Sequence, residues 1–154
     1  MLWTKKSGKV DGNTLDNIKI LQQLKINVRE VKKCYSEMSK DKMANNVKEI
    51  CKISDLIVKE VSLNQNKIPK INLLVWQYLP TSIKMLRQYI NIKKNKLVGD
   101  NCEEIKRIVE DMLPQIQKAF QELLNQLFDN ENDDVDIDVQ VMMKLLNQKG
   151  LLND

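Results

Sequence analysis

Apolar residues spaced three and four apart, sustained turn after turn, constrain this chain more than any other feature. Leu21, Leu24, Val28, Val31, Tyr35 and Met38 follow one another at alternating steps of three and four. That rhythm lays one apolar stripe along an α-helix and seams antiparallel helical pairs. Val47, Ile50, Ser54, Ile57 and Val61 repeat it, with Cys51 and Val58 widening the stripe. Little interrupts these runs: 4 Gly and 3 Pro among 154 residues leave too few turn formers for a sheet protein. The expected fold is all-α, an antiparallel bundle of four to five helices around one core.

The stripes place a first helix over residues 14–38, with Thr14 as its N-cap and Asp16 in its first turn. Ser39, backed by Asp41, caps a second helix over 40–63. The short connection makes residues 14–63 a long antiparallel hairpin or a nearly continuous bent rod, projecting from the C-terminal part, with a narrow seam whose inner face a partner or a second copy would cover. Pro69 suits the first turn of a third helix reaching to about residue 97. Ile71, Val75, Tyr78, Ser82, Met85 and Tyr89 form one stripe on it, and Leu79, Ile83, Leu86 and Ile90 a second, so its apolar face is wide and the helix central. Pro80 lies in the middle and cannot donate to the Trp76 carbonyl, which predicts a kink or a split there. Gly99 ends this helix, and Asp100 with Glu103 resembles a capping box for a fourth over about 100–128. Its inward set is Ile105, Val109, Met112, Ile116, Phe120, Leu123 and Leu127, with Pro114 facing the Glu110 carbonyl. A short fifth helix is expected over 136–148, closed by Gly150 and Leu151. Residues 1–13 read as a flexible tail, and 14–152 as a single helical domain in which 14–63 is the hairpin and 69–152 the remainder.

Several chemistries are excluded or weakened by residue type. The chain has no His, which removes the commonest general base and any Ser-His-Asp or Cys-His nucleophile. Four scattered Gly cannot build a phosphate-cradling loop. Cys102 and Arg107 stand one residue short of the Cys-x5-Arg phosphatase spacing, in a helical stretch without the loop glycine. The 3 Cys, at 34, 51 and 102, are widely spaced on helical patterns and read as reduced thiols, which points to a cytoplasmic location. The basic N-terminus is followed by no apolar stretch, so no signal peptide is expected, and no run spans a bilayer. The acidic run over 129–138 is the densest set of oxygen ligands, with Asp136 and Asp138 the weak metal candidates. It lacks the Gly and the terminal Glu of a calcium loop, and capping the fifth helix explains it as well. No catalytic residue and no cofactor is assigned from these patterns.

Charge is uneven. Residues 1–98 hold 20 Lys/Arg against 8 Asp/Glu, and residues 99–154 hold 5 against 13, so a basic portion precedes an acidic one. Lys25, Arg29, Lys32 and Lys33 fall on the outer side of the first helix, and Lys93, Lys94 and Lys96 near the end of the third. These are nearly all Lys, without the Arg and aromatics that read nucleic acid, so no nucleic-acid partner is expected. Peripheral contact with an acidic membrane surface or an acidic protein through the Lys-rich helices fits better than nucleic acid, and solvated helix faces explain the lysines more simply than either. Trp76, Tyr78 and Tyr89, with Leu79, Pro80 and Thr81, concentrate aromatic and breaker residues in one helix. They are the candidate protein-binding groove beside the kink, and a packed core around the kink is the competing explanation.

The stretch VWQYLPTSIKMLRQY over 75–89 resembles the Tyr-Leu-Pro-Thr-hydrophobic-Lys-hydrophobic-Leu-x-x-Tyr core of the 5-bromo-4-chloroindolyl phosphate hydrolysis protein (XpaC-like) family. Residues 105–127, ending in a Phe-x-x-Leu-Leu segment, resemble the family's amphipathic helix. The stretch VDIDVQVM over 135–142 and Gly150-Leu151 resemble its closing pattern. The resemblance covers about residues 70–152. It implies phosphate-ester hydrolysis by name, association with toxic-anion-resistance proteins, and in many members an apolar N-terminal membrane segment that has no counterpart in this sequence. The residues themselves favour a non-enzymatic interaction module acting with a protein partner or by self-association. The alternative is a metal-dependent phosphoesterase built on the acidic loop.

Overall fold

The computed structural model describes residues 12–129. Most of the expected tail, the fifth helix and the Gly150 cap lie outside these residues. Four α-helices and no strand are found among the described residues: α1 (Gly12–Ser36), α2 (Ala44–Leu63), α3 (Leu79–Lys94) and α4 (Asp100–Leu127).

α1 and α2 form the expected antiparallel hairpin. Leu24, Val28, Val31 and Cys34 of α1 face Val47, Ile50, Ile57 and Val61 of α2 in the core, and Lys32 bridges Asp55 at 2.8 Å outside it. α1 is already helical at Gly12, two residues ahead of the Thr14 cap read from the sequence. It ends earlier than expected, at Ser36, where the Ser36 hydroxyl donates to the Lys33 carbonyl at 2.6 Å and competes with the ladder. Met38 still reaches the core from beyond the helix end. The entry to α2 is ordered by Asp41 rather than Ser39. Its Oδ2 accepts from the Met43 N–H at 2.8 Å and its carbonyl from the Ala44 N–H at 3.1 Å, so the helix starts at Ala44 and not near 40.

The hairpin does not project from the rest. α3 runs along α1, where Arg87 reaches Glu37 at 2.7 Å and Glu30 at 3.4 Å. α4 runs along α2, where Lys42 pairs with Glu110 at 3.1 Å and the Asn46 amide donates to Gln117 at 2.8 Å. The inner face thus needs no outside partner. One cluster of buried residues, from Ile20 through to Leu127, joins all four helices in an up-down-up-down bundle.

The largest departure from expectation precedes α3. Pro69 stands near the start of a helical run over residues 65–94, but that run is not a uniform α-helix. The proline sits within a 3₁₀ segment, Gln65–Ile71, and a π-helical turn, Leu74–Tyr78, follows before α3 begins. Pro80 explains the turn. Its ring crowds the carbonyl four residues back, and it has no N–H to give. The backbone widens, and the Leu79 N–H reaches five residues back to Leu74. On that spacing the donor for the Val75 carbonyl is Pro80, which has none. Asn27, only 5% exposed on α1, supplies it: its Nδ2 donates to the Val75 carbonyl at 2.7 Å. The Gln23 amide donates to Asn27 Oδ1 at 2.9 Å, so the Asn27 side chain is held at both ends. The split expected at Pro80 is therefore a π turn locked by a residue on another helix.

α4 begins without the expected capping box. Gly99, at φ +124°, occupies a conformation that L side chains rarely adopt, and its carbonyl takes the Glu103 N–H at 3.0 Å. Asp100 is the first helical residue and makes no side-chain cap, leaving Asp100 and Glu103 to oppose the positive end of the helix dipole. The inward set of α4 is buried as expected, apart from the half-buried Ile105. No helix among the described residues is long and apolar enough to cross a membrane.

Candidate functional site

The six residues proposed for partner binding divide between interior and surface. Tyr78, Leu79 and Tyr89 are buried, Thr81 is half-buried, and Trp76 and Pro80 are exposed. Tyr78 and Leu79 pack against the bundle from the π turn, and the Tyr78 carbonyl accepts from the Ser82 hydroxyl at 2.8 Å. Trp76 points the other way and is 48% exposed. It forms one wall of a shallow groove of about 320 Å³, with Pro69 and Asn72 beside it and Asp16, Asn17 and Ile20 of α1 opposite. The widened turn places it there, because Val75 and Tyr78 on either side take the inward positions.

A larger cleft, of about 600 Å³, lies at the other end of α1, between the α1–α2 turn and the last turns of α3. Some 20 residues of helix, about 30 Å, separate the two sites. Met38, Tyr89 and Ile90 line the floor of the cleft, and Lys40, Lys42, Lys93 and Lys94 contribute cations to its walls. Asp41 is its anchor. The Tyr89 hydroxyl donates to Asp41 Oδ2 at 2.8 Å, Lys93 approaches Oδ1 at 3.2 Å, and the Lys93 ammonium lies 5.5 Å from the centre of the Tyr89 ring. Burial works to raise the Asp41 pKa, but the Met43 N–H, the Tyr89 hydroxyl and Lys93 outweigh it and hold the carboxyl below its ordinary value. Burial first, and then the hydrogen bond to Asp41 and its charge, push Tyr89 well above the ordinary phenol value, so it stays protonated and remains the donor. Glu37, on the rim, is held low chiefly by its hydrogen bond to Arg87. The sequence marked Lys93 and Lys94 as a cluster and Tyr89 as an aromatic of interest. From the sequence, Asp41 is only a helix-entry residue, and nothing local signals that α3 brings a tyrosine to it.

The chain matches the family described as 5-bromo-4-chloroindolyl phosphate hydrolysis protein over residues 5–142. It belongs to that family. The 5-bromo-4-chloroindolyl phosphate hydrolysis match takes in the N-terminal hairpin as well as the stretch over 75–89, so it is wider at the front than the resemblance legible by eye and stops before Gly150. No characterised protein and no solved structure gives a match.

Within this family member, the segment that carries the resemblance does architectural work. Pro80 produces the π turn, Tyr78 and Leu79 fill the core behind it, and Tyr89 fixes Asp41. Other groups raised by the sequence are placed as follows. Cys34 and Cys51 are buried reduced thiols, and burial raises both, Cys51 to about 11, which keeps them protonated and poor nucleophiles. Cys102 is half-buried in the first turn of α4, and Arg107 is engaged by Glu104 one turn away. Among the described residues, no group of three or more Cys, Asp or Glu is arranged to hold a metal ion. Asp136 and Asp138 lie outside the described residues.

Proposed function

We propose that this family member works as a non-enzymatic helical interaction module, binding a protein partner through the surface around Trp76 in a cytoplasmic setting. The exposed Trp76 carries the proposal. A large aromatic set half out of the surface beside a groove is the kind of side chain that dominates protein–protein binding when covered. The use of Tyr78 and Leu79 in packing and of Pro80 in shaping the turn supports it, because residues spent on the turn leave Trp76 presented at the surface rather than lining a substrate pocket. The partner fits the description of a toxic-anion-resistance protein, which the family resemblance implies.

Two measurements test this. Calorimetry between the purified chain and a purified toxic-anion-resistance protein is expected to show binding that Trp76→Ala weakens by at least about tenfold, the loss typical of an aromatic anchor. Binding unchanged by Trp76→Ala, or self-association in sedimentation as the only interaction seen, sinks the proposed surface. In parallel, the purified chain is incubated with 5-bromo-4-chloroindolyl phosphate and Mg²⁺, Mn²⁺ or Zn²⁺, beside an Asp136→Asn/Asp138→Asn variant. No turnover, or equal turnover in both, is expected. Turnover lost only in the variant makes the acidic loop a metal-dependent phosphoesterase site and replaces the non-enzymatic proposal.

A further inference from the structure

We infer that the outer face of the α1–α2 hairpin is a docking surface for an acidic amphipathic helix of a partner protein. This surface is separate from the Trp76 groove, which opens on the side of α1 that carries Asp16, Asn17 and Ile20, and the inference does not depend on that groove.

The helical repeat and the charge pairing lead to it. Outward positions of α1 hold Lys25, Arg29 and Lys32, outward positions of α2 hold Lys48, Lys52 and Lys59, and all of these side chains are exposed. The Lys32–Asp55 bridge, at 2.8 Å, fixes the register of the antiparallel pair and sets the two rows side by side, with Arg29 close to level with Lys59. Every carboxylate of the hairpin helices is accounted for. Asp55 takes Lys32, and Glu49 takes Lys52 at 3.3 Å. Glu30 is taken by Lys33 at 3.6 Å and by Arg87 at 3.4 Å, Glu60 is buried against Lys67, and Asp16 lines the Trp76 groove. Lys25, Arg29, Lys48 and Lys59 make no ion pair among the described residues, so each helix leaves two cations unanswered on the shared face. α4 differs: there Lys106 pairs with Glu103 and Arg107 with Glu104 within the helix itself. Between the two rows the surface is apolar, since the same repeat places the half-buried Leu21 and Val58 on the edges where α1 and α2 meet. An acidic amphipathic helix matches both features. Its carboxylates recur every three to four residues, as the cations do, and its apolar stripe meets the strip between the rows. Apolar side chains recessed between cations suit a helix better than a flat lipid surface, and one arginine among five lysines is a poor set for reading nucleic acid.

The test uses the full chain and a synthetic helical peptide of about 18 residues, built from Glu, Ala and Leu with the Leu on one face. A scrambled peptide of the same composition, a DNA duplex and phosphatidylglycerol vesicles are the comparison probes. Arg29→Gln/Lys59→Gln is the site variant, and Lys96→Gln/Lys118→Gln, exposed elsewhere on the molecule, is the charge-matched control. None of these side chains makes an ion pair among the described residues, and thermal melts establish that both variants are folded. Calorimetry is expected to show the helical peptide binding the native chain and the control alike, and more tightly than the scrambled peptide does. The site variant is expected to lose at least about tenfold in affinity. The inference is overturned if the helical peptide does not bind, if the scrambled peptide binds as tightly, or if the site variant binds like the control. It is overturned as well if the duplex or the vesicles bind and depend on Arg29 and Lys59 more steeply than the peptide does, because the face then serves a different polyanion.

Discussion

Pro80 and Pro114 each fall inside a run of helix-forming residues, and each removes a donor from the ladder, yet only the first changes the backbone around it. At Pro80 the chain widens into a π turn, and the carbonyl left without a donor is buried and taken by Asn27 of a neighbouring helix. At Pro114 α4 runs on without a break, the ring faces solvent, and the Gln115 amide donates to the Asp111 carbonyl at 3.0 Å on the same exposed side. The same local insult is left on an exposed helix face in one place and met by a dedicated tertiary contact in the other. What decides between them is which side of the helix carries the orphaned carbonyl.

That comparison is breakable by mutation. Pro114→Ala restores a donor to the Glu110 carbonyl at an exposed position, so it is expected to stabilise the protein by about 3 kcal/mol in urea unfolding, the interior cost of Pro relative to Ala. A loss of stability there means that α4 needs a bend at Pro114 to follow α2. Asn27→Ala is expected to destabilise by about 2 kcal/mol, because the Val75 carbonyl is left buried and unpaired. That loss should shrink in a Pro80→Ala background, where the backbone can satisfy its own carbonyls. A double-mutant cycle that comes out additive to within about 0.4 kcal/mol would show that Asn27 and Pro80 are unrelated.

Smaller effects sharpen the contrast between interior and surface polar groups. The folded-state pKa of Asp41 lies below its unfolded value of about 4. Its contribution to stability is therefore present at neutral pH and is lost as the pH falls through the acid range below that value. Melting temperature followed from pH 7 to pH 3 is expected to fall less steeply for Asp41→Asn than for the native chain, from a lower starting point. Identical slopes would mean that the Tyr89–Asp41–Lys93 contacts carry no net stability. Lys32→Ala removes only an exposed bridge to Asp55, and its melting temperature should be indistinguishable from that of the native chain.

The bundle was largely legible in the sequence because its signals are periodic and local. The stripe from Leu21 to Met38, its partner from Val47 to Val61 and the inward set of α4 need only the 3.6-residue repeat to be seen, and their residues are buried, apart from the half-buried Leu21, Tyr35 and Ile105. What escaped depends on contacts between distant residues. Pro80 announces trouble but not its form, since the π turn is held by Asn27, 48 residues away from Val75. Asp41 displaced Ser39 at the entry to α2 because Tyr89 and Lys93 reach it across a similar span, adding partners that no capping rule counts. At the candidate sites, the sequence gathered six residues into one groove by helical proximity. The wider turn sends Trp76 outward while Tyr78 and Leu79 turn in, a change of face that a 3.6-residue wheel cannot show.

The π turn also sets a phase. One residue too many in a helical turn advances everything after it by about 100° relative to an unbroken α-helix. Tyr89 meets Asp41 only because α3 leaves the turn at the angle that this extra residue dictates. Deleting the exposed Gln77 would remove that offset while Pro80 still interrupts the ladder, and it would swing the whole downstream face, with Lys93 and Lys94, away from the cleft. The family signature around Pro80 and the cationic cavity some three turns further on are thus two readouts of a single backbone offset, and neither can be re-registered without the other.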